Sequence, residues 1–179
     1  MVKSISVIIP SYNEEENIKE LYERIVKVLD EININDYEIV FIENGSSDKS
    51  LDILKNINSL NNKVKIVSFS RNFGYQNAIL AGLEYCKKDH ACILDGDLQD
   101  PPEIIKDLVL KADDGFDVVY GVRKKREATF FKKIGYKLFY FVYQKLSEIS
   151  VPKEVGEFCL LNRKVINHLI KLREKNLFI

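Results

Sequence analysis

Glycine, proline and cysteine are all scarce in this chain, at 8, 4 and 3 of 179 residues. The first two counts exclude collagen-like and proline-rich disordered chains, and the third excludes a disulfide-stapled scaffold. No run of about 18 apolar residues exists, so nothing reads as a membrane-spanning helix. Met1 to Pro10 has no basic region followed by an apolar stretch and a small-residue cleavage site, and reads as a strand rather than a signal peptide. There is no G-x-G-x-x-G and no Walker-type loop, which argues against dinucleotide oxidoreductases and P-loop NTPases. Zinc-finger spacing and a basic helix-turn-helix pattern are missing too, so nucleic acid is not an expected partner.

What is present suits one ordinary globular domain: 46% of residues are apolar and 30% charged, at 20.8 kDa. The net charge of zero hides an asymmetry. Residues 1–122 carry 13 Lys+Arg against 22 Asp+Glu, a balance of −9, whereas residues 123–179 carry 14 against 5, a balance of +9. A basic segment of that kind suits an anionic partner such as a membrane surface or phosphate groups, or else a dipolar surface with no partner.

β-Branched runs and helical spacings alternate along the first 120 residues. Ile5 to Ile9, closed by Pro10, has the profile of a buried strand. Asn13 is expected to open a helix, with Glu14, Glu15 and Glu16 in its first turn and Ile18, Leu21, Ile25, Val26 and Leu29 on its inner face. A second strand is expected over Tyr37–Ile42, with Ser47 capping a helix from about Asp48 to Ile57. Val64–Phe69 reads as strand three, followed by a helix from Tyr75 to Cys86. Ala91–Leu94 reads as strand four, Pro101 and Pro102 start the next helix, and Asp117–Gly121 is strand five. This order predicts an α/β fold with a mainly parallel sheet and helices on both faces, and ligands at the carboxyl ends of its strands. Beyond it lie a basic stretch, an aromatic helix from about Thr129 to Leu146, a short strand at Phe158–Leu161 and a last helix from Lys164.

Asp95-Gly96-Asp97 follows strand four directly. Two carboxylates one residue apart at a strand end can lean into one cleft, and Mg²⁺ or Mn²⁺ is commonly held by one or two carboxylates together with substrate phosphates. Gly96 between them permits close backbone approach to a ligand. Ser11-Tyr-Asn-Glu14 and Glu43-Asn-Gly-Ser46 are further polar clusters at the ends of strands one and two, and the topology brings all three to one sheet edge.

Pro10-Ser-Tyr-Asn-Glu-Glu resembles the opening motif of family 2 glycosyltransferases, enzymes of the GT-A fold, and Glu43-Asn-Gly-Ser-Ser-Asp resembles their DDGSxD turn. Ser70-Arg-Asn-Phe-Gly with Asn77-Ala-Ile-Leu-Ala-Gly-Leu, Asp95-Gly-Asp-Leu-Gln-Asp-Pro-Pro-Glu, and Gly156-Glu-Phe-Cys-Leu-Leu-Asn-Arg resemble the polyprenyl-phosphate branch, which includes dolichol-phosphate mannose synthase and bactoprenol glucosyltransferase. The resemblance covers nearly the whole chain, with five blocks in the family's order. It implies a nucleotide-sugar donor site with Pro10, Tyr12 and Glu14 in the nucleotide pocket, Glu43 and Asn44 toward base or ribose, and Arg71 toward the donor phosphates. Asp95, Gly96 and Asp97 would sit at the diphosphate, Asp95 and Asp97 holding Mg²⁺ or Mn²⁺, with Asp97 most directly on the metal. Three positions depart from the pattern: Asn44 stands for the turn's second Asp, Glu157 for the Asp of GDFR, and Cys159 for its Arg.

The implied reaction is inverting transfer of a hexose to a polyprenyl phosphate. A hydroxyl acceptor would need a general base, for which Glu157 is the candidate; a phosphate monoester with a second pKa near ~6 is already anionic, which leaves Glu157 to orient the acceptor or touch the metal. Arg123 and Arg126, after strand five, suit the acceptor phosphate. Seven of the chain's 19 aromatics fall in residues 130–146, interleaved with Lys132, Lys133, Lys137 and Lys145. Such a helix suits a membrane interface, and it would suit a second copy of the chain or a partner domain as well. The expected setting is peripheral, at the cytoplasmic face of a membrane. The chain stops at Ile179, the last residue of an apolar Leu-Phe-Ile. It is therefore read as a GT-A catalytic domain over 1–179 cut at its C-terminus, with 1–122 as the nucleotide-sugar half and 123–179 facing acceptor and membrane. Two other readings stand beside this one: a nucleotide-sugar-binding fragment without turnover, and a family 2 transferase with a saccharide acceptor. His90 and His168 have no partner at ligand spacing, and Cys86, Cys92 and Cys159 show no metal or redox spacing, so structural roles are expected for all five.

Overall fold

In the computed structural model, residues 1–122 and 155–172 are described, the side chains of 155–157 excepted. The strands are β1 (Ser4–Ser11), β2 (Asp36–Glu43), β3 (Val64–Ser68), β4 (His90–Ile93), β5 (Val118–Val122) and β6 (Val155–Asn162). The helices are α1 (Ile18–Glu31), α2 (Ser50–Leu60), α3 (Tyr75–Tyr85), α4 (Ile105–Asp113, entered through a 3₁₀ turn at Pro102–Ile104) and α5 (Arg163–Lys171). Two compact units divide the chain, Met1–Tyr120 with Glu157–Ile179, and Gly121–Gly156.

The sheet runs β3-β2-β1-β4-β6-β5. β1 pairs in parallel with β2 and with β4, β2 pairs in parallel with β3, and β6 runs antiparallel to β4, with Cys92 opposite Leu160. The parallel strands are apolar on both faces because helices cover both. Ile5, Val7, Ile9, Ile39 and Phe41 face one core with Leu21, Ile25 and Leu29 of α1 and Leu54 of α2. Ile8, Val40 and Ile42 face the other, with Ala78, Ile79 and Leu83 of α3 and Ile166 of α5. A Cβ on Gly82 would lie 2.3 Å from Ile8 Cγ2, so α3 rides directly on β1.

Two helix starts differ from the sequence expectation, for one reason. Asn13 is left-handed (φ 56°) and α1 begins only at Ile18; α2 begins at Ser50, and Ser47 does not cap it. The intervening residues bond to each other across the two loops instead. Asn13 N–H donates to Ser46 Oγ (3.0 Å) and Ser47 N–H to Asn13 Oδ1 (2.9 Å). Glu14 N–H donates to Ser50 Oγ (2.9 Å), Glu15 N–H to Asp48 Oδ2 (3.1 Å), and Lys49 N–H to Glu15 Oε2 (2.9 Å). At the other end of the chain, Asn162 does cap α5, its Oδ1 accepting from Val165 N–H at 3.0 Å.

Candidate functional site

The carboxyl ends of β1, β2, β3 and β4 open onto one cleft of about 430 Å³. It is lined by Pro10 and Ser11 at the end of β1 and Tyr12 and Glu14 beyond it, Asn44 after β2, Asn72, Gly74 and Tyr75 after β3, and Asp95 to Asp97 after β4. The opening follows from where β1 and β4 part. Leu94 N–H donates to Ile8 O at 3.0 Å, and pairing with β4 ends there. Pro10, two residues on, turns its nitrogen to the same side, so the missing N–H costs no ladder bond. The Asp95–Asp97 turn then folds back over β1. A Cβ on Gly96 would stand 3.0 Å from Pro10 O and 3.5 Å from both Glu14 Cγ and Ser11 Oγ, so only a glycine fits without displacement.

Asp95 Oδ1 accepts from the Tyr75 hydroxyl at 2.5 Å, and Asp97 Oδ1 accepts from Gln99 N–H at 3.0 Å. Leu98, between Asp97 and Gln99, is left-handed (φ 59°), an uncommon state for a leucine, and its side chain packs against the first core cluster. The inward Leu98 side chain and the tight turn together leave Asp97 at the cleft. Among the described residues no group of three or more His, Cys, Asp or Glu side chains gathers at a metal-sized site. Two carboxylates beside a glycine cradle fit a divalent cation whose remaining ligands come from phosphate and water.

Asn44 ties three loops together. Its backbone N–H donates to Ser11 O (2.9 Å), its Oδ1 accepts from Phe73 N–H (2.9 Å), and its Nδ2 donates to Asn72 Oδ1 (3.3 Å). Asn72 Oδ1 also accepts from Gly74 N–H at 2.8 Å. The amide at position 44 therefore donates where an aspartate could only accept.

Of the residues singled out in the sequence, Pro10, Tyr12, Glu14, Asn44, Asp95, Gly96 and Asp97 share this cleft. Glu43 and Arg71 are not among the residues that line it. Glu43 is buried, with one carboxylate oxygen accepting from Ser46 N–H and the other from Ser68 Oγ at 2.9 Å, so it braces the β2 turn. Arg71 lies over the Phe73 ring, 4.1 Å from its centroid, and donates to Asn72 O. Glu157 is placed by backbone alone, in β6, and Arg123, Arg126 and residues 130–146 lie outside the described residues. Ser11, named only as part of a polar cluster, and Asn72, Gly74 and Tyr75 are the cleft residues to which the sequence reading gave no role. Asn72 and Gly74 lie within the Ser70-Arg-Asn-Phe-Gly block and Tyr75 follows it directly, and that block is the one signal that pointed toward them.

His90, Cys86, Cys92 and Cys159 are not among the residues that line the cleft. Burial lowers the His90 pKa, and burial pushes the Cys159 thiol up to about 12 and the fully buried Cys92 well above its usual value.

Residues 6–170 match the model of Glycosyl transferase family 2. The chain is 43% identical over 175 residues to the uncharacterized glycosyltransferase YkcC of Bacillus subtilis, covering 97% of this chain and 54% of that protein. It is 41% identical over 179 residues to the uncharacterized glycosyltransferase sll0501 of Synechocystis, covering 99% of this chain and 56% of that protein. The chain thus spans just over half the length of these curated relatives. Among solved structures, the mannosyltransferase PcManGT of Pyrobaculum calidifontis, in complex with GDP-Man and Mn²⁺, superposes with a TM-score of 0.65 at 18% identity, covering 94% of this chain and 46% of that one. That likeness shows the fold, GT-A, as the motifs implied. With the family model covering nearly all of the chain and two relatives above 40% identity, the chain belongs to glycosyltransferase family 2.

Proposed function

We propose that the protein transfers a hexosyl group, with inversion, from a UDP- or GDP-linked sugar to a polyprenyl phosphate at the cytoplasmic face of a membrane. The observation that carries the donor half is the convergence of Asp95 and Asp97 with Tyr12, Glu14 and Asn44 on one cleft at the carboxyl edge of a parallel sheet. That edge suits a nucleoside diphosphate: the ring of Tyr12, 45% exposed, offers a face for stacking, and the tight turn at Gly96 lets phosphates approach the backbone. Asp95 and Asp97 would hold Mg²⁺ or Mn²⁺, which when bound supplies Lewis-acid stabilisation of the departing diphosphate.

In the transfer, an acceptor oxygen forms a bond to the anomeric carbon as the bond from that carbon to the diphosphate breaks, and the electron pair leaves with the nucleotide. A phosphate acceptor is already ionised at neutral pH and gives up no proton, so Glu157 orients it rather than acting as a base. Arg123 and Arg126 suit the acceptor's phosphate. The aromatic and basic residues of 130–146, in a segment with a charge balance of +9, suit an anionic bilayer surface where a polyprenyl headgroup lies.

The test is a thermal-shift titration with UDP and GDP, each with and without Mn²⁺, followed by an assay of nucleotide release in the presence of polyprenyl phosphate or a free saccharide. Binding at ~100 times the dissociation constant adds about 2.7 kcal/mol of stability. The expected result is a Mn²⁺-dependent rise with one nucleotide, lost in Asp97→Asn, and release that requires the lipid phosphate. An Asp97→Asn protein that keeps the Mn²⁺-dependent rise would overturn the metal assignment, and release driven by the saccharide alone would overturn the acceptor.

A further inference from the structure

Asp95 belongs to a carboxylate pair, yet its own orientation is set by a residue on another element. The terminal torsion of an aspartate is broad, so an isolated carboxylate at a turn samples many directions. Here Oδ1 accepts from the Tyr75 hydroxyl at 2.5 Å, across 20 residues of sequence. We propose that Tyr75 is a positioning residue of the donor site, which holds the Asp95 carboxylate in the direction that a nucleotide-bound divalent cation requires. The proposal rests on the donor-site reading above and adds a residue to it.

The phenol is itself held in place. Tyr75 is half-buried: it packs against the second core cluster, lines the cleft, and carries its hydroxyl to Asp95. It is the first residue of α3, and the start of that helix is fixed from the β2 side. Gly74 is left-handed (φ 89°) and its N–H donates to Asn72 Oδ1 at 2.8 Å. Asn72 in turn accepts from Asn44 Nδ2, and Asn44 Oδ1 accepts from Phe73 N–H. A Cβ on Gly45 would stand 2.4 Å from the Arg71 carbonyl carbon, so the backbone of this loop lies flat on the β2 turn. A continuous set of short contacts therefore runs from the end of β2, through residues 71–74, to the phenol and on to the carboxylate after β4. Carboxylates that ligate metals are generally oriented by such outer partners, and losing one costs metal affinity without removing a ligand.

Tyr75→Phe removes one oxygen and keeps the ring in the core. Isothermal titration of wild type and variant, with whichever of UDP and GDP the wild type binds, in the presence and absence of Mn²⁺, separates a positioning role from a structural one. The expected outcome is unchanged affinity without metal and a fall of about 10-fold with Mn²⁺, with a changed Mn²⁺ electron paramagnetic resonance line shape in the ternary complex. Tyr85→Phe, at the exposed far end of the same helix, serves as the control and leaves both affinities as they are. Equal affinities with Mn²⁺, or a loss of the same factor with and without it, would overturn the proposal. If wild type itself binds neither nucleotide in a Mn²⁺-dependent way, the donor-site reading fails first, and that result is distinct from a wild type that binds and a variant that matches it.

Discussion

At Gly45 two demands coincide. Its φ of 74° is a conformation that L side chains rarely adopt, and an added Cβ would stand 2.4–2.8 Å from backbone atoms of Arg71 and Asn72, which cannot swing aside as a flexible side chain could. Gly115 has the first demand alone: its φ is 100°, and nothing lies within 4 Å of its would-be Cβ. Gly115→Ala should then cost roughly 1–2 kcal/mol, the ordinary cost of a left-handed non-glycine residue, and Gly45→Ala clearly more. Urea denaturation of the two variants checks this, and equal losses would mean that the 71–74 loop lifts off the β2 turn without cost. The turn itself was legible in Glu43-Asn-Gly-Ser. The loop lying on it was not, because that contact joins residues 26 apart in sequence and no local pattern encodes it. The place of Glu43 beneath the turn, outside the cleft lining, was hidden for the same reason. A buried glutamate bonded to Ser46 and Ser68 and an exposed glutamate awaiting a ribose look alike in a sequence.

Strands were easier to read than helix starts. The central parallel strands declare themselves as short apolar runs, because helices cover both of their faces. A helix start is signalled only by side chains that can bond back to the backbone, and those side chains can equally bond elsewhere. Asn13 and Ser47 have the composition of caps, and both are spent instead on the contacts that zip the β1–α1 loop to the β2–α2 loop. A pair of substitutions separates the two readings. Were Ser47 the cap of α2, Ser47→Ala would cost about 1 kcal/mol. With Ser47 exposed and its hydroxyl 3.4 Å from Asn13 Oδ1, the expected loss is under ~0.5 kcal/mol. Ser50→Ala should instead cost roughly 1–3 kcal/mol, because the fully buried Ser50 hydroxyl accepts from Glu14 N–H and its removal leaves that donor without the bond. Thermal or urea unfolding of both variants decides it, and a larger loss at Ser47 would restore the cap. The same zipping holds Glu14 at the cleft, so helix caps and site geometry share residues in this fold.

Across the whole molecule, the candidate site was legible because of topology. Four parallel strands place their carboxyl ends together, so polar clusters after β1, β2 and β4 had to converge once the alternation of elements was recognised. The fourth contributor, the Asn72–Tyr75 segment after β3, carries no chemistry that stands out until the fold sets it beside Asp95. The same topology buries thiols on both faces of the sheet. Cys92 lies in the core facing α1 and α2, Cys86 in the core facing α3, and Cys159 packs against the latter. Burial pushes all three thiols up, Cys159 to about 12 and Cys92 well above the usual range, with the neighbouring Cys159 raising Cys92 further. In the unfolded chain these thiols ionise near 8.5, so above that pH the unfolded state binds fewer protons than the folded one. The stability held by the neutral thiols is therefore complete below about pH 8.5 and is lost progressively as pH rises from there toward the folded values. One unit above 8.5 the loss is about 1.4 kcal/mol for each thiol that remains neutral in the fold. Urea unfolding at pH 7.5 and 9.5 should show that fall, and Cys92→Ala, although less stable at both, should show a shallower dependence on pH. Native protein should resist iodoacetamide at Cys92 over the same range, whereas unfolded protein reacts. A midpoint unchanged between the two pH values, or fast labelling of Cys92 in the native state, would show that the sheet's interior opens to solvent far more readily than its packing implies.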